Sequence, residues 1–180
     1  KRQELPIQAR DGLQNIIESG EVNLDTLLHL EHQYTEAVIE QCKMLIESSD
    51  EKISVIGFHG QTLWHSPHLG STLQIGFAER LAEATLTPVV HQFRRGDMAR
   101  GGQGAPLTPL FHASQFGRDT ENVAVLNLGG IANLSLLVSG KPIKGWDLGP
   151  ADTLSDIWHQ MHQDKPFDYA GNYAASGCVT

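Results

Sequence analysis

Apolar side chains recur at Leu24, Leu27, Leu28, Tyr34, Val38, Cys42, Leu45 and Ile46. Their spacings of three, four and seven predict an amphipathic helix from Leu24 to about Ile46. A shorter helix is predicted from Asp11 to Ile17, with Ser19-Gly20 as its stop and Asn23 or Asp25 near the next start. Ser48-Ser49-Asp50 breaks the helical pattern, and Ile53 to Phe58, rich in β-branched residues, reads as a buried strand that runs into His59-Gly60-Gln61-Thr62. A strand at Ser71 to Ile75, a helix at Phe77 to Ala84 and a strand at Pro88 to His91 continue an alternation typical of a sheet with helices packed on it.

The pattern changes from Gly96 to Gly149, which holds 10 of the chain's 18 glycines. Such a stretch marks loops with positive φ or close backbone approach to a ligand. Inside it, Val123 to Leu128 and Leu134 to Val138 read as strands split by Gly129 to Asn133, and Ser139-Gly140-Lys141-Pro142 turns the chain into a third at Ile143 to Trp146. Three strands joined by tight turns predict a meander that opens a second domain. A last helix is predicted from about Asp152, with Leu154, Ile157, Trp158 and Met161 on one face.

Composition narrows the function classes. The 180 residues carry 13 Lys plus Arg against 21 Asp plus Glu, a formal charge of −8 with no extended basic run, which argues against a nucleic-acid partner. The longest apolar runs are too short to span a bilayer and no signal-like segment opens the chain, so no membrane association and a cytoplasmic location are expected. Cys42 and Cys178 lie far apart, outside any CxxC or Cys/His cluster, and the nine histidines form no HExxH pattern. Neither a disulfide framework nor a metal site is expected. The start at Lys1 without methionine and the end at Thr180 lead us to expect a middle portion of a longer protein.

Four segments have chemical potential. Asn127-Leu128-Gly129-Gly130 ends a strand in paired glycines, which either expose backbone N–H groups to phosphate oxygens or simply make a tight hairpin. Gly145-Trp146-Asp147-Leu148-Gly149-Pro150 sets a lone carboxylate at a strand end. Asp147 there is either a base for phosphoryl transfer or the cap of an Asx-turn. Arg94, Arg95 and Arg100 beside a glycine-rich loop can present guanidinium forks to an anionic group, or pair with Asp97 and its neighbours. Gln61 and Thr62 offer an amide and a hydroxyl suited to sugar hydroxyls.

Taken together and in order, HGQTLWHSP, STLQIG, FRRGDMARGGQGAPLTPLFH, NLGGIANLSLL, GWDLGP and FDYAGNYAASG resemble the anhydro-N-acetylmuramic acid kinase family of the sugar kinase, Hsp70 and actin superfamily. The resemblance is specific from about Ser54 onward. It implies an α/β, RNase H-like (actin-like ATPase) fold with mixed sheets and flanking helices, residues 1–121 being the latter part of one lobe and 122–180 the start of a second. It also implies ATP and Mg2+ as cofactors, a small sugar substrate, and a homodimer of the full-length protein. The implied reaction is opening of a 1,6-anhydro ring by water coupled to phosphorylation of O6 in cell-wall recycling. Carried over by motif, Asp147 is the expected catalytic base. Thr62, Gln61, Arg95 and Asp97 are expected at the sugar, and Asn127, Gly129 and Gly130 at the phosphates. The family usually reads DFRRRD where this chain has Gln92 to Asp97, so Gln92 replaces an aspartate and Gly96 the third arginine, one expected to help bind the sugar. These departures keep open a kinase for another sugar, or a relative that binds a sugar without turnover.

Overall fold

The computed structural model describes residues 5–178, which divide into two compact units between Ala105 and Pro106. In the first unit, helix α1 (Ile7–Ser19) ends on Gly20 in the left-handed region. Helix α2 (Leu24–Glu47) starts at Asn23, whose side-chain oxygen accepts the N–H groups of Asp25 and Thr26. Leu13, Ile16 and Leu30 of these helices bury their side chains with Leu63 and Ile75 from a hairpin. A second cluster joins Ile39 to Phe58, Ala78 and Leu81, with Tyr34, Val38 and Cys42 packed on it. The apolar stripe of α2 therefore faces two cores in succession. Burial raises the pKa of the Tyr34 hydroxyl and of the Cys42 thiol, so both stay neutral.

Strand β1 (Ile56–Phe58) pairs in parallel with β4 (Val89–His91). It is shorter than the apolar run from Ile53 predicts, because β4 offers only three residues for the ladder. Between them, β2 (Gln61–Ser66) and β3 (Ser71–Ile75) form an antiparallel hairpin, and α3 (Ala78–Thr85) follows. Strand β2 is absent from the sequence reading. Helix α4 (Phe93–Met98) occupies the arginine-rich segment, which the sequence reading leaves as loop.

One hydroxyl ties α2 to the start of α3. Buried Thr35 Oγ1 donates to the Glu31 carbonyl at 2.6 Å and accepts the Phe77 N–H at 3.0 Å. Thr35→Val keeps the side-chain shape and leaves that N–H without an acceptor, so it is expected to cost about 1–3 kcal/mol in urea unfolding.

In the second unit, helix α5 (Thr108–Phe116) precedes a meander of β5 (Val123–Leu128), β6 (Ile131–Leu137) and β7 (Lys144–Pro150), ordered as in sequence and antiparallel throughout. Strand β6 begins at Ile131, earlier than predicted, because Ile131 pairs with Pro150 of β7. Strand β7 in turn runs through Asp147 instead of stopping at Trp146.

Helix α6 (Asp152–Gln163) then begins where expected, and helix α7 (Asn172–Ala175) follows a short turn. Leu154, Ile157, Trp158 and Met161 are exposed, while His159 is the buried residue of α6 and packs edge-on against Tyr173 at 5.3 Å. Asp168 accepts the N–H groups of Tyr173 and Ala174, each at 2.9 Å, and these bonds hold its carboxyl below the usual carboxylate range. A lowered folded pKa stabilises the fold above the unfolded value, and the effect is lost as pH falls through the folded one. Amide shifts of Tyr173 and Ala174 are therefore expected to titrate below the ordinary aspartate range, and Asp168→Asn to abolish that transition.

Candidate functional site

Each unit gathers its own polar cluster. In the first, the hairpin register sets Thr62 opposite Gln74 and His65 opposite Thr72. Gln74 Nε2 donates to Thr62 Oγ1 at 3.3 Å and to Thr72 Oγ1 at 2.7 Å. Thr72 Oγ1 also bonds His65 Nδ1 at 3.1 Å, and Arg95 Nε donates to the Thr72 carbonyl at 3.3 Å. The structure thus brings Thr62 and Arg95 together through β3, and the bonded side chains fix each other's rotamers. Gln61 turns its amide to the Thr62 carbonyl, at 3.1 Å.

Beside this network lies a cavity of about 190 Å³, bordered by Glu31, His59, Gln74, His91, Gln92 and Arg95. Gln92 enters α4 with φ 59°, a left-handed conformation that aspartate or asparagine adopts more readily.

Asp97 and the other arginines hold the glycine loop. Asp97 Oδ2 accepts the Gly104 N–H at 2.8 Å, and a side chain at Gly102 would overlap its carboxylate. Arg94 donates to the Gly104 carbonyl at 2.8 Å. Arg100 folds back to the Gly96 carbonyl at 2.8 Å, so its guanidinium lies beside Gly96.

The second cluster sits at one end of the meander. Asn127 of β5 pairs with Asn133 of β6, and Asn133 with Asp147 of β7, so three polar residues stand side by side across the sheet. Directly paired residues of an antiparallel ladder project to one face, with Cβ atoms roughly 4.5–5.5 Å apart. Beyond Asp147 the ladder slips, with Ala132 pairing with Gly149, so Leu148 is an extra residue. Bulges of this kind re-aim side chains at strand ends. Gly149, at φ 151°, supplies a conformation that few side-chain-bearing residues adopt.

Gly145 answers a different need. A Cβ there would overlap Pro109, which lets α5 lie against the sheet while His112 Nδ1 bonds Ser135, the partner of Gly145, at 2.8 Å. The carboxylate of Asp147 is exposed and makes no hydrogen bond or ion pair among the described residues, so the Asx-turn alternative does not apply.

The Gly129-Gly130 turn is buckled to the start of α6. Gly129 and Gly130 carbonyls accept the N–H groups of Asp152 at 2.8 Å and Ala151 at 2.9 Å, and Thr153 Oγ1 donates to Gly130 at 2.8 Å. A Cβ at Gly130 would meet Thr153 Oγ1 at 2.9 Å, whereas one at Gly129 would meet nothing nearer than 3.9 Å. The turn is therefore fixed on one side and open on the other, which fits close approach of a phosphate.

Sequence reasoning missed Asn133, Thr72 and Gln74 as members of these clusters. The i, i+2 spacing of Thr72 and Gln74 was the available signal. For Asn133 the signal was its place in NLGGIAN, which reads as loop until the register is known.

The chain matches the family described as anhydro-N-acetylmuramic acid kinase over residues 2–180. Curated proteins with that description include one from Pasteurella multocida, 42% identical over 97% of this chain and 48% of the relative. One from Xylella fastidiosa is 49% identical over 87% and 42%, and one from Bordetella petrii 54% over 71% and 33%. The chain spans about half the length, or less, of these curated relatives. No described helix is long and apolar enough to cross a membrane. The motifs that gather into the two clusters lie inside the matched range, and the chain belongs to the anhydro-N-acetylmuramic acid kinase family.

Proposed function

We propose that these residues form the sugar-binding side and one phosphate loop of a cytoplasmic, homodimeric, ATP-dependent kinase that opens the 1,6-anhydro ring of anhydro-N-acetylmuramic acid and phosphorylates O6. In this reading residues 1–121 belong to one RNase H-like lobe and 122–180 to the next, with α5 packed against the second sheet. The observation that carries it is the row Asn127, Asn133, Asp147 beside an anchored Gly129-Gly130 turn. An unpaired carboxylate next to a backbone open to phosphate is what water activation coupled to phosphoryl transfer requires.

Asp147 takes a proton from water as the water oxygen bonds to C1 and the C1–O6 bond breaks, and the freed O6 accepts the γ-phosphoryl group. Asn127, Gly129 and Gly130 hold phosphate oxygens. ATP with Mg2+ supplies the phosphoryl group and neutralises charge on it. No group of three or more His, Cys, Asp or Glu positioned for a metal occurs among the described residues. Thr62, Gln61 and Arg95 meet the sugar, with Asp97 holding the loop behind Arg95 and Arg100 standing in beside Gly96.

The test is ADP release by the full-length protein with anhydro-N-acetylmuramic acid. Turnover with this sugar, and none with N-acetylglucosamine, is the expected result. Turnover only with another sugar would replace the substrate, and saturable sugar binding without ADP release would replace the kinase with a binding protein.

A further inference from the structure

Gln74 has no role in the reading above, yet it sets the direction in which the hydrogen bonds of the first cluster run. Thr72 is buried, and its hydroxyl has three partners: the Trp64 carbonyl at 3.2 Å, Gln74 Nε2 at 2.7 Å and His65 Nδ1 at 3.1 Å. A carbonyl only accepts, so the single Thr72 proton goes to Trp64. The two lone pairs left on Thr72 Oγ1 then take one N–H from Gln74 and one from the His65 ring. Gln74 therefore faces the two threonines with its nitrogen, and its second N–H goes to Thr62 Oγ1 at 3.3 Å. Thr62 thus accepts within the protein, and its own O–H has no acceptor among the described residues. Thr62 is only half-buried, and Gln74 also borders the cavity beside Arg95.

We infer that Gln74 is a positioning residue for the sugar: by donating to Thr62 Oγ1 it leaves the Thr62 hydroxyl as a donor toward the ligand, so the sugar oxygen met there is a hydrogen-bond acceptor. The inference rests on the proposed sugar site and adds the direction of its hydrogen bond. A threonine hydroxyl by itself both donates and accepts. Gln74 removes that freedom before the ligand arrives, and a donor already turned outward does not have to be reordered on binding. Neither residue exchanges a proton with the sugar.

The full-length protein is compared with Thr62→Val, Gln74→Glu and Gln74→Met by ADP release with anhydro-N-acetylmuramic acid, with a melting curve on each. An ionised glutamate has no N–H, so it draws the Thr62 O–H inward and reverses the bond. Methionine removes the bond and leaves the hydroxyl free to turn. Sugar KM is expected to rise by about 10- to 100-fold in Thr62→Val and Gln74→Glu, but by no more than about fivefold in Gln74→Met, with smaller changes in kcat. A purely structural link between β2 and β3 would make the Glu and Met variants alike, each in step with its loss of melting temperature, and that result overturns the inference. So does wild-type KM in Gln74→Glu. A second readout needs no turnover. The side-chain amide pair that vanishes from the proton–nitrogen spectrum in Gln74→Glu is expected to exchange with water at least about 10-fold more slowly than a free glutamine amide. Exchange at the free rate would put the nitrogen in solvent and overturn the inference as well. If wild type releases no ADP with the sugar, the kinase reading fails, while the amide exchange still decides the direction of the Thr62 bond.

Discussion

Replacement of Asp147 by asparagine is expected to lower kcat on the anhydro sugar by about 10²- to 10⁴-fold, the range contributed by a positioned general base. The substitution is nearly isosteric, and Asp147 is exposed with no hydrogen bond or ion pair among the described residues. Its loss therefore leaves no buried partner unsatisfied, and the melting temperature is expected to stay within about 2 °C of wild type. Sugar KM is expected to change little, because in the proposed mechanism the carboxylate acts on the water rather than on the sugar hydroxyls. A drop in kcat with KM held marks an interaction made in the transition state. A coupled ADP-release assay with a melting curve on the same samples reads all three quantities. Turnover that survives the substitution would move the base to another residue.

Most of the helices and several strands were legible in the sequence because periodicity reports burial. The α2 stripe runs from Leu24 to Glu47 as its spacing predicts, and β3 and β5 lie where their apolar runs place them. Strand β2 was not legible: in Gln61 to Ser66 the alternation of buried and exposed positions is interrupted by a shift between Thr62 and Trp64, and its polar side chains are spent on β3 rather than on a core. Helix α4 was hidden by the Arg-Arg-Gly-Asp sequence, since glycine and charge lower helix propensity and only tertiary contacts decide the matter.

The α6 stripe shows the converse. Its apolar residues fall on one face as expected, yet His159 is the residue buried against Tyr173. Periodicity identifies a face but not what meets it.

The candidate site divides in the same way. Asp147, Thr62 and Arg95 were visible from motifs, because each sits at an unusual junction of glycine, charge and strand end. What the motifs could not give is register. Asn133 joins Asp147 only because β6 pairs with β7 on one side of a one-residue slip, and moving that slip by one pair would set Leu148 opposite Asn133 in place of Asp147. The glycines beside Asp147 likewise look equivalent in sequence and are not. Gly145 makes room for Pro109, whereas Gly149 supplies a backbone conformation.

The largest expected effect on stability lies at Gly76, between β3 and α3. Its φ is 125°, and a Cβ there would stand 2.5 Å from Phe58 Cζ, 2.8 Å from Cε1 of the same ring and 3.2 Å from Tyr34 Cε1. Phe58 is buried in the second core, and stacks with Tyr34 at a centroid distance of 6.3 Å, so neither ring is free to swing aside. The backbone is also pinned, because Gly76 N–H donates to the Glu31 carboxylate at 3.0 Å and the next N–H to Thr35. Gly76→Ala therefore adds a conformational cost of about 1–3 kcal/mol to an overpacking cost of about 1–3 kcal/mol. A fall in melting temperature of more than about 10 °C is expected for the unit that contains it. Gly70→Ala separates the two terms, since Gly70 has φ 62° but nothing within 4 Å of a Cβ. That variant is expected to lose only the backbone part, about 1–2 kcal/mol. Equal losses at the two positions would show that Phe58 yields to the added methyl. A much larger loss at Gly76 means that the core under β1 sets the conformation of the β3–α3 junction. Gly76 and Gln74 both border the cavity beside Arg95, so a displaced junction is also expected to weaken the sugar binding proposed for Thr62 and Arg95, read by a thermal-shift titration, whereas Gly70→Ala leaves it intact.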